Sequence, residues 1–351
     1  MSRAGLPRSI PTGAHRSGHI QGIAVDLEKG FLYCSYTQML LKLDLQGNLI
    51  GSCTGLLGHL GCIAFNQEDG KVYGSLEYKN DSIGKGILKF AGKEDTELET
   101  SFFIAVFDVD KIDRPDMDAC TCGVMKAAFL KEVTDDFNAP GEAGKDHRYG
   151  CSGIDGTSFG PRFGQTDGKN YLTVAYGIYT DNERADNDRQ VLLQYDIAGW
   201  DAVLRPLSQE NFHRSGPAAP DGKYFLFTGS TDWGTQNLEY DPEEGRWIFC
   251  VYRGKKPQYP NYPVYTVFAR TPVVKNAAGE DEIFLSDDGL LHEPTGIRGW
   301  NFPLGTTGIC ALGDGFFYVS DSGKTPEGLQ TSTVRLCKRV DGEAFLEFVT
   351  E

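Results

Sequence analysis

The sequence has no apolar run approaching the roughly 18 to 20 residues that a bilayer-crossing helix needs, which excludes helical membrane spans. Sustained 3.6-residue periodicity is nearly absent as well, so a helical bundle has nothing to build on. Positive charge is scarce: 34 Lys and Arg against 49 Asp and Glu leave a formal charge of −15, which repels a phosphate backbone and gives no reason to expect a membrane surface. A disulfide framework is lacking, since the nine cysteines are odd in number and scattered from Cys34 to Cys337. The close pair Cys120-Thr121-Cys122 has the wrong spacing for a zinc knuckle or a redox motif, and most of the cysteines read as small buried hydrophobes. No apolar segment follows Met1–Pro7, so no secretory leader is expected and the cytoplasm is the expected compartment. There is no Gly-x-Ser-x-Gly elbow and no Walker-type glycine loop, which argues against serine hydrolysis and P-loop chemistry.

What the chain does contain is β-structure. Apolar content of 40%, with 12% aromatics, is ample for a core, and it is dealt out in short Val, Ile, Phe and Tyr runs bounded by Asp-Gly and Glu-Gly turns. Gly18-His19-Ile20-Gln21-Gly22-Ile23-Ala24-Val25-Asp26 is restated forty residues later as Gly58-His59-Leu60-Gly61-Cys62-Ile63-Ala64-Phe65-Asn66. The register continues through Glu28-Lys29-Gly30 on Glu68-Asp69-Gly70 and Tyr33-Cys34-Ser35 on Tyr73-Gly74-Ser75. A period of that length, holding four strands, is the signature of a propeller blade.

The expected fold is therefore an all-β propeller with four antiparallel strands per blade, forming one domain over residues 1–351. Residues 1–17 read as an N-terminal extension, and 78–100 and 132–147 as loop insertions. Six blades are expected, with five or seven as alternatives, because 78–146 and the fifth blade are ambiguous. Their inner strands start at Gly22, Cys62, Gly153, Pro217, Pro272 and Gly308.

His213-Arg214-Ser215-Gly216-Pro217 superposes on His19-Ile20-Gln21-Gly22-Ile23, and His147 lies three residues before Gly150, the corresponding position of the third blade. Four of six histidines thus precede an inner strand, while His15 and His292 read as surface residues. In a propeller that places His19, His59, His147 and His213 around one channel mouth, where neutral imidazoles suit Mn, Zn, Fe or Ni. Calcium, which prefers oxygen, would draw on Asp155 or Gln21. The bland alternative is a wet channel whose histidines bond only to water.

Cations and rings of the same face, Tyr78, Lys79, Arg148, Tyr149, Tyr179, Arg184, Arg214 and Trp233, complete the expected site. Arg148 is the expected carboxylate clamp, Tyr149 a possible base, His147 and His213 acid/base groups, and Trp233 a platform for a sugar ring.

The chain resembles the propeller-fold sugar lyases and glycosidases, among them oligogalacturonate lyases that hold a metal with histidines. That resemblance implies a small carbohydrate substrate, preferably a uronate-containing oligosaccharide, cleaved by metal-assisted elimination or hydrolysis. The propeller lactonases are a further alternative, though their metal site resembles an acidic and asparagine cluster. A non-catalytic platform for sugars or proteins is the other class to weigh, since fold does not settle function.

Overall fold

The Gly18–Asp26 and Gly58–Asn66 repeats form the innermost strands of two adjacent sheets, Ile20–Asp26 and His59–Asn66, each paired antiparallel to the strand that follows its Gly30 or Gly70 turn. The computed structural model describes residues 3–165 and 168–350, and in it five such sheets surround one axis. The protein is a five-bladed β-propeller.

Blade 1 is Ile20–Asp26, Phe31–Tyr36, Met39–Asp44 and Leu49–Thr54; blade 2 is His59–Asn66, Lys71–Tyr78, Ser101–Phe107 and Met125–Phe129. Blade 3 is Cys151–Pro161, Asn170–Ile178, Arg189–Tyr195 and Gly222–Phe227. Thr231–Asp241, Arg246–Arg253 and Val264–Phe268 make blade 4. Blade 5 is Ile309–Gly313, Phe316–Lys324 and Gln330–Arg339, and Ser9–His15 pairs antiparallel with Gln330–Arg339 to close the ring. Residues read as an extension therefore include a structural strand.

The described residues form no sixth blade, and the reason is local. Tyr224–Phe227 is not a second strand of a new blade but part of the fourth strand of blade 3, paired with Arg189–Gln194 across the long 196–221 connection. Pro217 precedes no inner strand; the inner strand of blade 4 starts at Thr231. Asp281–Ile283 and Val274–Lys275, read as a fifth blade, extend the outer edge of blade 3 instead. Their short, polar pairing lacks the buried alternation that an inner strand needs.

The insertions each carry one helix. Helix α1 (Ser82–Phe90) is capped by Asp81, whose carboxylate accepts from Ile83 N at 3.0 Å and Gly84 N at 2.9 Å. Helix α2 (Lys131–Asn138) packs Val133 and Phe137 against blade 3. Apolar faces between blades bury the core, with Tyr33, Phe103, Tyr176, Trp247 and Tyr318 all fully buried.

Around the axis the inner strands approach so closely that side chains bond to neighbouring backbones. Ser35 Oγ donates to Gly61 O at 2.7 Å and Ser75 Oγ to Asp155 O at 2.8 Å, the repeated serine making the same bond in consecutive blades. A Cβ on Gly22 would stand 2.9 Å from Cys62 Cα, so only glycine permits that approach.

Candidate active site

The inner strands of blades 1 to 4 are each bulged near one mouth of the channel, with register shifts at Ile20/Gly22, Leu60/Ile63, Ile154/Thr157 and Asp232/Thr235. Bulges re-aim side chains, and here they turn several into a cavity of about 310 Å³ at that mouth. His19, His59, Glu77, Lys79, Asp155 and Trp233 line it together with Gln21, Gln236 and Tyr252.

His59 and Glu77 are cross-strand partners in blade 2, and Asp155 comes from the inner strand of blade 3. His59 Nδ1 is buried without a hydrogen-bond partner among the described residues, 4.0 Å from Glu77 Oε1 and 4.0 Å from Asp155 Oδ1. Lys79 Nζ donates to Glu77 Oε1 at 2.6 Å and to Ser152 O at 2.8 Å, while Glu77 Oε2 accepts from Ile154 N at 3.1 Å. Asp155 Oδ2 accepts from Gln236 Nε2 at 3.1 Å.

The electrostatics separate these groups. Burial, reinforced by the Lys79 charge, pushes the His59 imidazolium down to about 3, so the ring is neutral. Burial and then the Glu77 charge raise Asp155 well above the ordinary carboxylate value, which favours its protonated form. Burial also raises Glu77, although Lys79 draws it back; the Lys79 ammonium, disfavoured by burial, is held up by Glu77. His19 is lowered by burial and by the Lys324 charge, and its Nε2 lies 3.3 Å from Gln21 Nε2.

Of the residues expected from sequence, His19, His59, Lys79 and Trp233 meet at this mouth. Tyr179 stands beside them, its ring edge-on to Trp233 at 5.3 Å and its hydroxyl donating to Asp81 at 3.2 Å. The other expected residues lie elsewhere. His147 stacks on Phe137 with ring centroids 3.9 Å apart and donates through Nδ1 to Phe137 O. His213 lies edge-on to Phe103 of blade 2 at 5.5 Å and accepts from Ser215 N, because no inner strand follows it. The four-histidine ring therefore does not assemble.

Arg148 is drawn to the buried Asp136 at 3.2 Å, and Tyr149 packs edge-on to Phe225 beside Lys223. Arg184 grips Asp186 with two nitrogens at 2.6 Å and bonds the carbonyls of Asp146 and His147, which makes it a loop lock. Arg214 pairs with Glu99 and Ser101, and Tyr78 is buried with its hydroxyl on Gln209 at 2.8 Å.

The acids are what sequence reading misses. It brings in Asp155 only for calcium and gives Glu77 no role, yet the ring of inner strands places Asp155 at a repeated position. Ser35 and Ser75 bond the carbonyls of Gly61 and Asp155, so Asp155 occupies in blade 3 the position that Gln21 and Gly61 hold in blades 1 and 2.

Among the described residues no group of three or more His, Cys, Asp and Glu side chains is arranged to hold a metal ion. The spacing explains this, since tetrahedral ligands at metal bonds of about 2.1 Å stand roughly 3.4 Å apart, and Lys79 already covers Glu77.

No family model matches the chain, and no characterised protein matches it by sequence. Solved structures similar to it are propellers of low identity. A GH43 β-1,3-galactosidase is 12% identical, with 97% of this chain and 99% of that chain covered and a TM-score of 0.45. A GH43 endo-arabinanase from Bacillus licheniformis is 8% identical over 95% and 99%, with a TM-score of 0.43. A gluconolactonase from Xanthomonas campestris is 11% identical over 96% of this chain and 78% of that one, with a TM-score of 0.39. With scores this low, the fold assignment rests on the chain's own strand pairing.

Proposed function

We propose that this propeller is an enzyme performing acid/base cleavage of a carbohydrate, by hydrolysis or β-elimination, at the mouth lined by His59, Glu77 and Asp155. One observation carries the reading: an unpartnered, neutral imidazole nitrogen faces two carboxyl oxygens, each 4.0 Å away. A hydroxyl or glycosidic oxygen at about 2.8 Å from two groups so spaced completes hydrogen bonds to both, whereas the groups are too far apart to satisfy each other.

The protonated Asp155 is the general acid, delivering its proton to the leaving oxygen. His59 is the base, taking a proton from water in hydrolysis or from a sugar carbon in elimination. Glu77 Oε1, 4.0 Å from His59 Nδ1, is the carboxylate oxygen that faces the imidazolium as it forms, and the Lys79 charge opposes that charging and favours prompt return of the proton. Pairs of titratable groups whose surroundings push them apart are what acid and base assignments look like. Trp233, 36% exposed at the rim, offers its indole face to a pyranose ring.

Metal assistance is a second reading, favoured only by the unpartnered His59 nitrogen; it requires Glu77 or Asp155 to close on that ring and Lys79 to let go. A non-catalytic sugar-binding platform is the third outcome to test. The experiment screens neutral and uronate oligosaccharides for reducing ends and for the absorbance of unsaturated products, with metal content measured on tag-free protein. Turnover lost in Asp155→Asn and His59→Gln supports the reading; turnover that both variants retain overturns it. Turnover abolished by chelation and restored by a bound divalent ion selects the metal route.

A further inference from the structure

The catalytic cavity is closed on one side and open on the other. Toward blade 2 it meets Ile83 and Ile87 of α1, and the space beneath that helix, bounded by Leu57, Leu88 and Leu98, is only about 10 Å³, room for one water at most and for no sugar. Toward blades 4 and 5 it continues through His19, Trp233 and Tyr252 into a groove of about 660 Å³ walled by Arg253, Pro263 and Pro303.

Trp233 is placed at this junction at a cost. It adopts a left-handed φ of 64°, followed by Gly234 at 69°, inside the bulge between Asp232 and Thr235. A bulky residue held there signals a constraint that the surroundings enforce. The bulge keeps the indole out of the sheet and exposes it between cavity and groove.

Beyond the indole the groove is lined by one cation, Arg253, and one acid, Asp232. Arg253 donates to Asn301 Oδ1 at 3.0 Å and has no carboxylate partner among the described residues. Lys324 sits near enough to His19 to lower its proton affinity. Asp232, the acid on the wall, is already neutralised by Lys255 at 3.0 Å.

We infer that the groove is a second subsite, so that the enzyme acts from one end on an oligosaccharide of at least two units, whose second unit stacks on Trp233 and presents a carboxylate to Arg253. This rests on the carbohydrate reading above and adds to it the substrate's length, direction and charge. It also moves the carboxylate clamp from Arg148 to Arg253.

Calorimetry on the full chain carrying Asp155→Asn tests it, using uronic acid monosaccharides and disaccharides of gluco, galacto and manno configuration and their neutral counterparts. The expected result is a uronate disaccharide bound at least about tenfold more tightly than its monosaccharide. Adding Arg253→Ala removes about tenfold for the acidic disaccharide, Arg253→Lys restores part of it, and the neutral disaccharide is unaffected. Adding Trp233→Ala weakens both disaccharides. Equal affinity for one and two units, or equal loss for acidic and neutral disaccharides in Arg253→Ala, overturns the subsite while leaving the carbohydrate reading intact. Failure of every sugar to bind overturns both.

Discussion

Replacing Glu77 by glutamine isolates the most consequential contact of the site. The Lys79 ammonium is 4% exposed, and Glu77 Oε1 at 2.6 Å is its buried counter-charge; Asp81 Oδ2 lies at 3.7 Å. The amide preserves the shape and keeps a carbonyl near the ammonium but strands a charge in low dielectric. Breaking one side of a buried pair costs about 3–5 kcal/mol. For 351 residues at roughly 2.1 cal/mol/K each, the unfolding entropy is about 0.74 kcal/mol/K, so the midpoint should fall by about 4–7 °C.

Lys79→Met should cost less than Glu77→Gln, because burial raises Glu77 and the stranded carboxyl can take a proton. The double variant Glu77→Gln/Lys79→Met should return most of the loss, since a neutral isosteric pair carries no desolvation penalty. Differential scanning calorimetry on the four proteins at pH 7 reads all three differences. A loss below about 1 kcal/mol in Glu77→Gln, the value of a solvent-exposed pair, or a double variant no better than that single one, refutes the account of a buried, mutually dependent pair.

The pH dependence follows from the same site. Turnover needs His59 neutral and Asp155 protonated, so kcat/KM should rise through about pH 3 and fall only where the raised Asp155 ionises; an ordinary carboxylate limb near 4 would contradict this. His59 has its folded pKa depressed, so its contribution to stability is present above about 6.5 and lost as pH falls toward 3. His59→Gln should accordingly flatten the midpoint-versus-pH slope between those values, and an unchanged slope would show that the ring charges without penalty. Asp81→Ala removes the α1 cap and should cost about 1 kcal/mol, with a raised KM because Ile83 and Ile87 wall the cavity; unchanged KM would detach α1 from the site. His213→Ala should leave kcat unaltered, and a large loss would return that residue to the catalytic mouth.

Blade 1 and the first two strands of blade 2 were legible residue by residue because they are copies of one repeat, before the insertion carrying α1 breaks the register. The count failed between 196 and 300. There the fourth strand of blade 3 arrives after a long connection, and the His213-Arg214-Ser215 match to His19-Ile20-Gln21 is a likeness of letters with no strand beneath it. The site was half legible for a related reason. Histidines stand out at the head of a strand, whereas an aspartate within Gly153-Ile154-Asp155-Gly156 draws notice only once the Ser75–Asp155 bond gives its level in the ring. Arg148 and Arg214 misled because each answers a carboxylate that becomes a neighbour only in three dimensions, as Arg148 does with Asp136.

The strand Ser9–His15 has a further consequence, for the order of events during synthesis. Thr12 Oγ1 donates to Ser332 O at 3.0 Å and accepts from Ser332 N at 3.0 Å, across 320 residues. Each blade can form from its own consecutive hairpins as it leaves the ribosome, but the strand that seals the circle is made long before the partner it pairs with. Until Gln330–Arg339 is made, Ser9–His15 is an unmated strand, a template for pairing with the wrong molecule. Pro11 within that strand removes one backbone donor from its ladder, which blunts this hazard until the partner emerges.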